Sequence, residues 1–145
     1  MAAPSSSEIV AAARGWIGTP YHHRASLKGT GCDCLGLVRG VWRGLVGPEP
    51  VRLPAYSGDW GDVTAEETLL NAASIHFEPI AREASGPGDV LVFRMRPGRI
   101  AKHCGILTGF DAFLHAWEAA PVAEVPLTPW WRSRIAGAFR FPGEL

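Results

Sequence analysis

Residues 29–47, GTGCDCLGLVRGVWRGLVG, constrain this chain more than any other stretch. A glycine-rich turn runs into a helical pattern, with Leu35, Val38, Trp42 and Leu45 at spacings of three and four. Cys34 falls on the first turn of that helix. It lies near the partial positive charge of the helix start, beside backbone N–H groups that no helical carbonyl can satisfy. Such a place favours a thiolate and leaves donors free for an oxyanion. Gly36, Gly40 and Gly44 form a second stripe. Each glycine costs a helix about 1 kcal/mol relative to alanine, so three on one face imply a closely packed neighbour, expected to be a β-sheet.

Upstream, Ser5 to Glu8 fits a capping box ahead of Ile9, Val10, Ala13 and Trp16, which predicts a helix from Ser6 to about Ile17. Tyr21-His22-His23-Arg24 then falls in an irregular lead to the glycine-rich turn. Downstream, residues 48–63 read as an extended loop carrying Tyr56 and Trp60, long enough to wall a cleft. Thr64 to Glu67 repeats the capping-box pattern and predicts a short helix to about Ser74. From Pro87 the period changes to that of strands: 89–94, 103–108, 112–117, 122–127 and 136–141, separated by Gly, Pro and Asp signals. Helices followed by consecutive short strands indicate an α+β fold with helices on a mostly antiparallel sheet. The 145 residues suit one domain, with residues 1–5 expected to be flexible.

Composition narrows the function. Zero formal net charge and 47% apolar residues argue against disorder and against nucleic-acid binding by bulk charge. No apolar run approaches the roughly 18 residues that span a membrane. MAAPSSSEIVAAARGW has no basic start followed by an apolar block, so a secretory signal is not expected and synthesis in the cytoplasm is. Three cysteines at 32, 34 and 104 do not make a disulfide framework, and Cys32 and Cys34 are too close for an unstrained bridge. A reducing compartment with one reactive thiol fits these counts.

That thiol needs a base. A free cysteine is only a few per cent thiolate at neutral pH, whereas a histidine-paired one can be pulled down to a pKa of roughly 3.5–7.5. His103 opens the strand HCGILT and His115 sits in AFLHAW. A hairpin centred on Gly109 would set the two directly opposite, with Cβ atoms about 4.5–5.5 Å apart. Gly105, on the face of His103, would leave room for the helix start. Cys34 as nucleophile, His103 as base and His115 as orienter then come together from three segments.

DCLGLV around Cys34, GDVLVF at Asp89, HCGIL at His103 and FLHA at His115 resemble the NlpC-type cysteine peptidases of bacterial cell-wall turnover. The order Cys, His, His and the twelve-residue step between the histidines agree with that family, over nearly the whole chain. TPYHHRASLKGTGCDCLGLVRGVW and LPAYSGDW resemble the subgroup carried by tailed phages and gene transfer agents. The resemblance implies a papain-like fold and cleavage of peptidoglycan stem peptides, in many relatives between γ-D-glutamate and meso-diaminopimelate. It implies no cofactor or metal, and no nucleic-acid or membrane partner. It makes Cys34, His103 and His115 catalytic, places Tyr21 near the thiol, and sets Asp33 toward the substrate amine. It further implies phage-like tail or baseplate proteins as partners, with the enzyme carried on a virion to the periplasmic wall. Leu35 stands where the family usually has serine, and Cys104 where it usually has valine.

Other readings stay open. Asp33 can instead cap the helix, His115 can be a structural histidine, and Cys32 and Cys104 fit buried core thiols. Trp130 and Trp131 form a partner patch or cover the sheet. Cys32, Cys34, His103 and Cys104 offer enough ligand atoms for zinc, although Cys-x-Cys and His-Cys are not the usual spacings. A tail-tip structural protein could keep the fold without the activity.

Overall fold

The computed structural model describes residues 3–50 and 67–143. Helix α1 (Ser6–Arg14) starts as its sequence dictates: the Ser5 hydroxyl accepts from the Glu8 amide, and the Glu8 carboxylate accepts from the Ser5 amide. It stops short of Ile17, capped at Gly15. Gly18, at φ 89°, then turns the chain so that its amide reaches the Val122 carbonyl. A two-residue hairpin, β1 (Ser26–Leu27) and β2 (Gly31–Cys32), leads into α2 (Cys34–Leu45).

Helix α3 (Thr68–His76) follows, and then β3 (Glu78–Ile80), β4 (Val90–Phe93), β5 (His103–Leu107), β6 (Ala112–His115), β7 (Ala123–Pro126), the single turn α4 (Pro129–Arg132) and β8 (Ile135–Arg140). The sheet order is β3-β8-β4-β5-β6-β7, with every neighbouring pair antiparallel. Helices on an antiparallel sheet are the expected α+β arrangement. The five strands expected from the sequence are present with shifted ends. β3 was hidden by Pro79, a residue tolerated there because β3 is an edge strand.

Period-two alternation divides the core in two. Val90, Val92, Cys104, Ile106, Leu114 and Phe139 face α1, α2 and α3. Leu91, Phe93, Leu107, Phe113, Leu127 and Ala138 face the opposite way, with Trp131 of α4 packed on them. Both faces of the central strands are therefore covered, which explains why VLVF reads as an unbroken apolar run buried at all four positions.

Three expectations change. The buried face of α2 centres on Leu37, Val38, Val41 and Trp42, so Leu35 and Leu45 flank it. The glycine stripe does not meet the sheet. A Cβ at Gly36 would lie 1.9 Å from the Ala25 carbonyl oxygen and one at Gly40 would lie 1.9 Å from the Trp16 ring, whereas Gly44 meets nothing within 4 Å. The close neighbours are thus the loop before β1 and the end of the α1 segment. Glu67 occupies the N-cap position of α3 but makes no capping bond with its side chain. Thr64, Tyr56 and Trp60, and with them the expected cleft wall and most of the second capping box, lie outside the described residues.

Candidate active site

Cys34 is delivered by a knot of backbone bonds. The buried Asp33 carboxylate caps α2, accepting the Gly36 amide on Oδ1 and the Arg24 amide on Oδ2, both at 2.7 Å. Arg24 has φ 67°, a left-handed conformation unusual for arginine, and the bond to Asp33 holds it there. The Ser26 hydroxyl donates to the Gly36 carbonyl and the Asp33 amide to the Ala25 carbonyl, which fixes the loop against the helix start. Asp33 therefore takes the capping role left open by the sequence. Its oxygens bond backbone amides, and its charge acts on the cleft by field: it raises the pKa of Tyr21, Cys32, Cys34 and Cys104.

His103 and His115 come from neighbouring strands, with a register that differs from expectation. β5 and β6 pair Ile106 with Leu114 and Leu107 with Phe113, which centres the hairpin on Phe110 rather than Gly109. The turn holds Thr108 to Asp111, closed by the Thr108 amide on the Ala112 carbonyl. By that register His115 lies across from Gly105, diagonal to His103 on the same face. The rings still meet, with His103 Nε2 2.8 Å from His115 Nδ1. Gly105 does not make room for the helix start, because α2 lies on the other side of the sheet. A side chain at 105 would strike the Phe113 ring and the Leu114 carbonyl, both at 2.7 Å.

Sulfur and imidazole meet because Cys34 sits over the end of β5, where the strand no longer separates the two faces. Its Sγ lies 3.8 Å from the Lys102 carbonyl oxygen, one residue before His103. The Cys34 thiol is held well below its ordinary pKa. The hydrogen bond with Cys104 and the hydrogen bond and charge of His103 outweigh burial and the repulsion of Asp33. Cys104 moves the other way, raised by the same bond and by burial. Cys32, fully buried, is pushed up to about 12 chiefly by burial. Three cysteines thus have three environments, and only Cys34 favours the anion.

His115 is pushed down to about 3, first by burial and then by the charge of His103. It stays neutral at physiological pH, and its Nδ1 shares a single hydrogen bond with His103 Nε2. The other ring nitrogen of His103, Nδ1, is then the one available to the sulfur. Tyr21 bridges to Cys32 and is half-buried, its phenol pushed up to about 12 by burial and by the charges of Asp33 and Cys34. It keeps its proton and is a hydrogen-bond donor. The structure therefore brings Cys34, His103, His115 and Tyr21 to one place, with Asp33 beneath them. Among the described residues no three His, Cys, Asp or Glu side chains are grouped as metal ligands would be.

Sequence reasoning missed the aromatic cage around the histidines. Trp117 stands edge-on to His103 at 4.8 Å between ring centroids, and Trp131 lies 5.6 Å from His103 and 5.2 Å from His115. Phe93 and Phe113 close the inner side at 5.8 Å from His103 and 4.8 Å from His115. Trp131 covers the sheet, while Trp130 is half exposed with the Arg134 guanidinium 3.6 Å above its ring. The signal was present in Thr128-Pro129: the Thr128 hydroxyl caps α4, with Pro129 in its first turn.

Residues 18–140 match the sequence profile of the NlpC/P60 family. Among curated proteins, the chain is 29% identical over 134 residues to the gamma-DL-glutamyl hydrolase of Bacillus subtilis (strain 168), covering 92% of this chain and 29% of the relative. It is 31% identical over 130 residues to the murein DD-endopeptidase MepH of Escherichia coli (strain K12), covering 86% of this chain and 41% of that protein. The chain thus spans well under half the length of these two relatives. Among solved structures, an NlpC/P60 family protein from Bacillus cereus ATCC 10987 superposes with TM-score 0.70 at 22% identity, over 96% of this chain and 41% of that one. The NlpC/p60 domain of the peptidoglycan hydrolase SagA gives 0.67 at 22% identity, over 94% of this chain and 99% of that domain. With a profile match across most of its length and the same fold in both structures, this chain belongs to the NlpC/P60 family.

Proposed function

We propose that this protein is a cysteine endopeptidase that hydrolyses the peptide stems of bacterial peptidoglycan. One observation carries the reading: a thiol at a helix start whose pKa the adjoining His103 helps to lower, with His103 hydrogen-bonded in turn to a second histidine that burial keeps neutral. The Cys34 thiolate attacks the scissile carbonyl carbon, and the resulting oxyanion lies at the start of α2. The backbone amides of Cys34 and Leu35, with no helical acceptor of their own, and the Tyr21 phenol supply donors there; one such donor is worth about 3–4 kcal/mol. His103 gives its proton to the leaving amine, which leaves a thioester on Cys34. Water then attacks that thioester as His103 takes its proton. His115 holds His103 in orientation throughout without becoming charged.

Peptidoglycan as substrate is supported by the relatives' names, one of which is a murein endopeptidase. The names differ in the bond, gamma-DL-glutamyl in one and DD in the other. We assign this chain the γ-D-glutamyl to diaminopimelate type, with the negative field of Asp33 drawing the substrate amine toward the cleft. We further assign it to a phage-like particle, where it would act on the wall during infection or release.

Cys34→Ala should keep the circular dichroism and melting of the parent while abolishing release of stem fragments from purified sacculi. Digestion by the alanine variant at the parent's rate overturns the assignment. Mass spectrometry of the fragments names the bond. Binding to tail proteins without any hydrolysis by the parent would instead make the chain a silent structural component.

A further inference from the structure

Glu67 stands at the start of α3 without capping it, and its carboxylate reaches another segment instead. Oε1 accepts the amide of Ala101 at 2.8 Å, and Oε2 pairs with Arg94 Nη2 at 2.7 Å. Ala101 is fully buried, where a backbone N–H needs an acceptor. Arg94 in turn donates from Nη1 to the Arg99 carbonyl, and its own amide donates to the Arg134 carbonyl. Residues 94–102 connect β4 to β5 and are closed at the root by the Phe93–His103 pair. One carboxylate from the helix layer thus fastens both limbs of that loop, two residues before the base. The carbonyl in between, that of Lys102, lies 3.8 Å from Cys34 Sγ.

We propose that Glu67 is a positioning residue which, with Arg94, clamps the 94–102 loop and so sets the Lys102–His103 peptide, and the imidazole it carries, against Cys34. The Phe93–His103 pair is the last rung of the β4–β5 ladder, so the chain beyond it is held by the clamp. The loop tip, residues 96–99, is exposed and turns at Gly98, with φ 76°, and gives no support of its own. A charge-assisted bond to a backbone amide is about twice as strong as a neutral one. The guanidinium fixes the carboxylate in the orientation that reaches both partners, and lowers its pKa so that it stays charged. The inference rests on Cys34 and His103 being nucleophile and base. Shifting a catalytic group by about 1 Å can cost about 10²-fold in rate.

Positioning predicts a loss in turnover rather than in binding. Glu67→Ala should lower kcat on a soluble stem peptide by about 10–100-fold, with KM within about twofold of the parent. Glu67→Gln keeps an oxygen for the Ala101 amide and should recover most of that loss. A second readout needs no turnover: alkylation of Cys34 by iodoacetamide, below the midpoint of its pH profile, with the site identified by mass spectrometry. Loosening His103 raises the thiol pKa. A rise of about one unit leaves about tenfold less thiolate, each anion about threefold more reactive, so labelling should slow about threefold. The Lys102 carbonyl does not reverse that sign, because a thiol is a weak donor to it. A folded Glu67→Ala with the parent's kcat and labelling rate overturns the proposal, as does Glu67→Gln behaving like Glu67→Ala. Should the alanine variant fail to fold, Arg94→Ala, which frees the carboxylate to swing, should slow labelling in the same direction; the parent's rate overturns the proposal. A parent that labels at Cys34 but cuts no stem peptide sinks the peptidase reading alone, and the labelling comparison still decides this one.

Discussion

The segment that brings Cys34 and the strands that bring His103 and His115 converge at the end of β5, held by different forces. The sulfur half is polar and local: Asp33, Arg24, Ala25, Ser26 and Gly36 lie within a dozen or so residues and are tied by backbone hydrogen bonds. The imidazole half is apolar and long-range: Phe93, Phe113, Trp117 and Trp131 enclose two rings that share one hydrogen bond. A thiolate needs donors and a helix start, which short loops can supply. A neutral histidine needs dehydration, which only packed side chains can supply. The ionisation states of the two halves follow from how each is held.

Removing the base tests the imidazole half most severely. His103→Ala should lower the hydrolysis of sacculi by about 10²–10⁴-fold, measured beside a melting curve; a smaller loss would place the base elsewhere. Trp131→Ala opens the cage over both imidazoles. For a half-buried tryptophan we expect about 2–3 kcal/mol of lost stability, below the full core value, together with slower labelling of Cys34. Stability lost with no change in labelling would show that the cage supports the sheet and not the site.

The pH dependence of stability separates the halves further. The folded pKa of His115 is depressed to about 3, so below its ordinary value the unfolded chain binds a proton that the folded chain refuses. Its stabilising contribution is present above pH 6.5 and falls as pH drops toward 3. Between pH 6.5 and 5 it should fall by about 1.5 kcal/mol, as read by urea unfolding, and His115→Asn should flatten that slope. A comparable effect belongs to the sulfur half. Asp33→Asn keeps an acceptor for Gly36 but opposes the Arg24 amide with a second donor, for about 1–2 kcal/mol. Because the Asp33 charge raises the Cys34 pKa, its removal should move the midpoint of Cys34 alkylation by iodoacetamide down. An upward shift would mean that helix geometry, rather than charge, controls the thiol.

The difference between the halves also explains what could be read in advance. Capping signals, helical periodicity and the Gly-x-Gly turn are local codes, so Ser5, the start of α2 and the position of Cys34 were legible in the sequence. The histidines were legible as a pair, since strand alternation keeps residues twelve apart on one face of a hairpin. Their register was not, because it depends on whether the turn centres on Gly109 or Phe110.

The sequence by itself determined most of the larger elements, the nucleophile's place on a helix start, and the two imidazoles that share one face, because each follows from spacing along the chain. Tertiary structure decided which surfaces those elements meet. It set Gly36 and Gly40 against Ala25 and Trp16 instead of the sheet, turned Asp33 to its caps, and brought Trp131 across the histidines. It also placed Cys104 in the buried core against which Cys34 packs. These contacts join segments tens of residues apart, and burial, which fixes the charge of a thiol or an imidazole, exists only once they have closed.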